Sequence, residues 1–77
     1  MTPGTVYVIQ AGAYFKIGRT GNLARRLEGL RTGSPAPLAV VYRLETPESD
    51  GFERWLHRRF AEARVQGEWY QLTAEHL

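Results

Sequence analysis

Seventy-seven residues with ten basic and eight acidic side chains, a formal net charge of +2, make a single domain over residues 1–77 with a thin core. The absence of cysteine excludes disulfides, thiolate metal sites and thiol nucleophiles, so burial of the nine aromatics has to stand in for staples. Hydrophobic content of 43% and charged content of 23% are those of a soluble globule. No run approaches the ~20 apolar residues of a membrane span, and Met1–Ile9 lacks a basic segment leading into an apolar one, so the expectation is a cytoplasmic protein with no membrane partner.

Thr5–Gln10 (TVYVIQ) has the β-branched and aromatic content of a strand, and Ala11-Gly12-Ala13 a turn glycine free to take positive φ. Tyr14–Gly18 (YFKIG) returns as the second strand. Thr20-Gly21-Asn22 offers capping oxygens to a helix, LARRLEGLR, whose Leu23, Leu27 and Leu30 share one face. Residues 32–37 (TGSPAP) end it in a loop. Leu38–Leu44 (LAVVYRL) is nearly continuous in apolar character, which predicts a third strand buried on both faces. Thr46-Pro47-Glu48 opens a second helix predicted to reach Arg64, with Phe52, Leu56, Phe60 and Ala63 inward. After a turn at Val65-Gln66-Gly67, Glu68–Leu72 reads as a short extended segment. The order is ββαβα plus a short C-terminal strand, an α+β layer built on an antiparallel hairpin.

Four polar residues sit where packing alone would not put them. Tyr7 interrupts the first strand and faces opposite to Val6 and Val8. Lys16 interrupts the second strand between Phe15 and Ile17. Arg26 flanks the leucine stripe, and Glu53 flanks the apolar stripe of the second helix, with His57 one turn later. Each has a simple alternative: a core tyrosine with a bonded hydroxyl, a solvent-facing edge lysine, an arginine lying over a helix edge, an ordinary surface ion pair. Nine arginines against one lysine suit phosphate recognition, and GC-rich coding would produce the same bias. Together the four supply what phosphodiester hydrolysis needs: a cation holder, a charge neutraliser, and groups to orient water and leaving oxygen. A single carboxylate suits Mg²⁺, which keeps much of its water. No HxxxH, HExxH, paired-carboxylate or Walker-type motif appears, and two histidines, His57 and His76, leave little room for a triad.

In order, these residues resemble the GIY-YIG nuclease superfamily, in which two tripeptides end paired strands. Thr5-Val6-Tyr7 corresponds to the first and Lys16-Ile17-Gly18 to the second. The helix arginine of that family matches Arg26 in GRTGNLARRLEGL, and its metal-binding glutamate matches Glu53 in FERWLHRRF. The LH step and the closing GEWYQL are similar to the short branch typified by a phage T5 open reading frame, and the likeness spans nearly all of residues 5–72. The resemblance implies a small three-stranded antiparallel sheet flanked by helices, and metal-dependent endonuclease action on DNA, whether duplex, branched or single-stranded, with RNA also open. It implies Tyr7 as general base or as the group orienting water, Arg26 on the scissile phosphate, and Glu53 on one Mg²⁺ or Mn²⁺. Gly18 would admit a close backbone approach, and Lys16, Gly18 and Arg19 would face the phosphate. His57 would orient Glu53 or touch substrate. The sequence departs from the superfamily at Lys16, which replaces a tyrosine and serves as a base or as a charged phosphate ligand. It also lacks the late asparagine of many relatives, and Glu68 and Trp69 occupy that neighbourhood. Two other readings stand beside the enzyme: a non-cleaving nucleic-acid-binding module of the same fold, and a protein-interaction domain anchored by exposed Trp55 and Trp69.

Overall fold

The computed structural model describes residues 3–33 and 37–73. The loop expected over residues 32–37 falls partly on 34–36, and His76 also lies outside the described residues. Five strands form one antiparallel sheet: β1 (Gly4–Ala11), β2 (Tyr14–Thr20), β3 (Leu38–Thr46), β4 (Arg64–Gln66) and β5 (Trp69–Tyr70). The sheet order is β3-β1-β2-β5-β4. Helix α1 (Leu23–Thr32) follows β2, helix α2 (Ser49–Arg59) follows β3, and a 3₁₀ turn (Ala61–Ala63) leads into β4. No helix among the described residues is long and apolar enough to cross a membrane.

Alternation along β1 decides the layering, because successive side chains leave a strand on opposite faces. Val6 and Val8 pack with Phe15, Ile17, Leu56, Tyr70 and Leu72, supported by Phe52, Phe60 and Ala63. Tyr7 and Ile9 turn the other way and pack with Leu23, backed by Leu27, Leu30 and Leu38. The two helices thus cover opposite faces of β1, and α2 packs on β2 as well. Each large apolar side chain buried in this way contributes about 1.5–3 kcal/mol. Both tight turns put glycine first: Gly12 (φ 62°) joins the paired Ala11 and Tyr14, and Gly67 (φ 57°) joins the paired Gln66 and Trp69. That position takes positive φ in a type II′ hairpin.

Four expectations need correction. The sheet has five strands, not three, because the segment after α2 folds into a hairpin that pairs with β2 at Phe15 and Lys16. β3 is an edge strand and not buried on both faces: Val40, Val41, Tyr42 and Leu44 are 37–47% exposed. Its apolar run served pairing with β1, while the helices settled over β1 and β2. The register shift opposite Val8/Ile9 leaves Val41 without a partner on β1. Helix α2 stops at Arg59, and the 3₁₀ turn carries Ala63 onto the core where a helix was expected. It also starts later, at Ser49, since the Thr46 hydroxyl accepts from Glu48 N–H (3.2 Å) and makes a turn rather than a cap.

Candidate functional site

The site lies on the flank of β2 that β5 leaves uncovered. β5 pairs with β2 only at Phe15 and Lys16. Beyond them, Ile17 finds other partners: its N–H donates to the Glu68 carbonyl (3.1 Å), and its carbonyl oxygen lies 2.9 Å from His57 Nε2. Two residues further, the backbone amide of Arg19 faces the Glu53 carboxylate and acts to lower its pKa. Helix α2 therefore reaches around the strand from one face and sets two side chains, one helical turn apart, on the same flank.

Tyr7 arrives from the opposite face. It pairs across the ladder with Gly18, and a Cβ on Gly18 would fall 2.5 Å from the Tyr7 hydroxyl and 2.7 Å from Cζ. The ring therefore lies over Gly18, where only a missing side chain leaves it room. What Gly18 visibly admits is this phenol. Burial raises the Tyr7 pKa above the ordinary phenol value; Arg26 acts to lower it, and Glu68 and Glu53 act to raise it. The phenol on β1 thus senses a guanidinium on α1 and carboxylates from α2 and the β4–β5 turn.

Glu53 is half-buried, and its carboxyl is pushed above the usual range by burial and then by Glu68. His57, the Arg19 charge and the Arg19 amide pull it back. Glu53, His57 and Glu68 bring one ligand atom each to within 4.8 Å of one another, a group that can hold a metal ion. Sequence spacing missed the second carboxylate of this group. The i, i+4 pair Glu53 and His57 was legible on a helix, whereas Glu68 joins it only through the hairpin. The one available signal was the run GEWY, which carries Glu68.

The remaining candidates are placed less uniformly. Lys16 is not a solvent-facing edge residue. β2 is flanked on both sides there, and the Lys16 ammonium sits 3.4 Å from Glu68 Oε1 and 5.3 Å from the centre of the Trp69 ring. Trp69 is accordingly half-buried rather than an exposed anchor, while Trp55 is 51% exposed and stacks on Phe52 at 6.0 Å. Arg19 Nε donates to the hydroxyl of Ser49 (2.8 Å), which is fully buried and pins the start of α2 to β2. Arg26 is exposed and lines, with Thr20, Asn22 and Arg25, an open groove of about 630 Å³ at the mouth of α1. A groove of about 680 Å³ between α1 and β3 is lined by Leu23, Leu27, Val40 and Tyr42 and holds none of these residues. The His57 ring also leans on Tyr70, 5.6 Å between centres.

No curated protein and no solved structure matches the chain. A family model, that of the T5orf172 domain, matches residues 4–77, which cover β1 through β5 and both helices. The chain belongs to the T5orf172 domain family.

Proposed function

We propose that this domain is a divalent-metal-dependent endonuclease that hydrolyses DNA phosphodiester bonds in the manner of the GIY-YIG nucleases. The observation that carries the reading is that Glu53, His57 and Glu68 bring ligand atoms within 4.8 Å of one another on the flank of β2, with Tyr7 within electrostatic reach of Glu53, Glu68 and Arg26. Attack of water on phosphorus breaks one ester bond and leaves a phosphate monoester and an alcohol. A divalent cation held at Glu53 supplies, when bound, positive charge for the phosphate and leaving oxygens. Arg26, exposed on α1, offers a planar fork to the scissile phosphate. Tyr7 is held protonated at neutral pH, so it acts by orienting the attacking water rather than by waiting as a phenolate. Lys16 is paired with Glu68 at 3.4 Å and so stands as a cation partner beside that carboxylate.

A supercoiled-plasmid nicking assay tests this. Nicking is expected with Mg²⁺ or Mn²⁺ and not with EDTA, and Glu53→Ala and Arg26→Ala should each lose about 10²-fold or more. Nicking that persists in both variants ends the assignment. The raised phenol pKa and the Lys16–Glu68 pair also favour a second reading, a non-cleaving DNA-binding module, since they leave no ready base. Metal-independent DNA binding by wild type and Glu53→Ala alike, without nicking, decides for it.

A further inference from the structure

We infer that Glu53, His57 and Glu68 form a three-donor site selective for a first-row divalent transition ion over Mg²⁺, with Lys16 as the residue that positions Glu68. The proposal rests on the nuclease reading only in taking Glu53 as a cation ligand, and it replaces a lone carboxylate with two carboxylates and an imidazole.

Proximity alone would not carry this, because exposed carboxylates often crowd together with no ion. The stronger argument is that His57 and Glu68 are each held by a partner outside the group, and that Glu53 faces one. The Ile17 carbonyl oxygen, 2.9 Å from His57 Nε2, can only accept, so Nε2 donates to it and Nδ1 is the ring nitrogen left for an ion. Ligating histidines are oriented in this way, the second ring nitrogen donating to a carbonyl or carboxylate. The Arg19 backbone amide faces the Glu53 carboxylate. Glu68 is fixed twice: its carbonyl takes the Ile17 N–H at 3.1 Å, and Lys16 Nζ sits 3.4 Å from its Oε1. The tight turn at Gly67 (φ 57°) gives that residue a set position next to β2. Ligand atoms within 4.8 Å of one another, from a helix and a hairpin meeting on one strand, are a span that a single ion can bridge.

The donor set decides the class of ion. Mg²⁺ prefers oxygen and gives up water reluctantly, whereas an imidazole among carboxylates favours Mn²⁺ and its later neighbours. Mn²⁺ is the probe, added to the full chain without nucleic acid and followed by electron paramagnetic resonance. Wild type should bind one Mn²⁺ at least about tenfold more tightly than Mg²⁺, and its pulsed spectrum should show coupling to one imidazole nitrogen. Glu68→Gln and His57→Gln should each weaken Mn²⁺ binding by at least about tenfold, and the nitrogen coupling should vanish in the latter. Lys16→Met should weaken binding less than Glu68→Gln, as expected of a residue acting through another. Glu45→Gln, on the far edge of the sheet, should change nothing.

Melting of every variant in EDTA reports whether it folds, and the wild-type spectrum needs no variant at all. Wild-type Mn²⁺ affinity in folded Glu68→Gln or His57→Gln, equal affinity for Mg²⁺, or a wild-type spectrum without nitrogen coupling each overturns the proposal. Nicking by a Glu68→Gln protein that binds Mn²⁺ normally would overturn it and leave the nuclease reading intact. Mn²⁺ held by all three donors with no nicking would support it while ending that reading.

Discussion

Gly18 and Tyr7 show how one missing side chain can serve a site. The tyrosine crosses the second strand only because nothing projects from the glycine opposite it. Gly18→Ala should therefore push the ring away and destabilise the fold by about 1–3 kcal/mol, read from the urea midpoint. On the nuclease reading, nicking should fall with it. The buried phenols make a second prediction. Tyr7 and Tyr70 both ionise above the ordinary value, chiefly because burial disfavours the phenolate. In the unfolded chain they ionise at the ordinary value, about 10. The stability tied to the retained proton is thus complete below that pH and is lost as pH rises through the folded values. The urea midpoint should decline on the alkaline side, and Tyr7→Phe should flatten that decline. An identical decline in Tyr7→Phe would contradict the shift.

The elements differ in how locally they are specified. Helix α1 carries its own start signal: Asn22 Oδ1 accepts from the Arg25 N–H (3.1 Å), and the Thr20 hydroxyl accepts from the Asn22 N–H (3.1 Å). Asn22→Ala should cost about 1 kcal/mol, a fall in Tm of about 4–8 °C by circular dichroism, while Asn22→Asp should keep most of it. Helix α2 is begun instead by a long-range bond, Arg19 Nε to the buried Ser49 hydroxyl. That difference explains why the start of α1 was legible in TGN and the start of α2 was displaced to Ser49. The third strand marks the limit of composition as a guide. Its valines and tyrosine suit a strand anywhere, and whether both faces are covered depends on where the helices land.

At the scale of the molecule, the site exists because helix α2 on one face reaches a flank of β2 that the short β4–β5 hairpin covers only in part, while Tyr7 comes to Gly18 from the other face. Stability should follow the same layout. β1 is paired on both sides, whereas β4 is three exposed residues at one edge. Amide hydrogen exchange should be slowest in β1, approaching the full unfolding free energy of about 4–11 kcal/mol for a chain this size, and close to unprotected in β4. Uniform protection across the sheet would contradict that gradient.

Residues next to one another in the chain already specified the hairpin, the α1 cap, the inward faces of both helices and the candidates Tyr7, Arg26 and Glu53. Such features depend on periodicity and turn chemistry, which operate over a few positions. Tertiary structure alone decided that β3 would be an edge, that Lys16 would be committed to Glu68, and that Glu68 would stand beside Glu53 and His57. These outcomes depend on which strand flank stays open once the sheet is ordered, and strand order is fixed by long-range pairing and burial together, which no local spacing of residue types encodes.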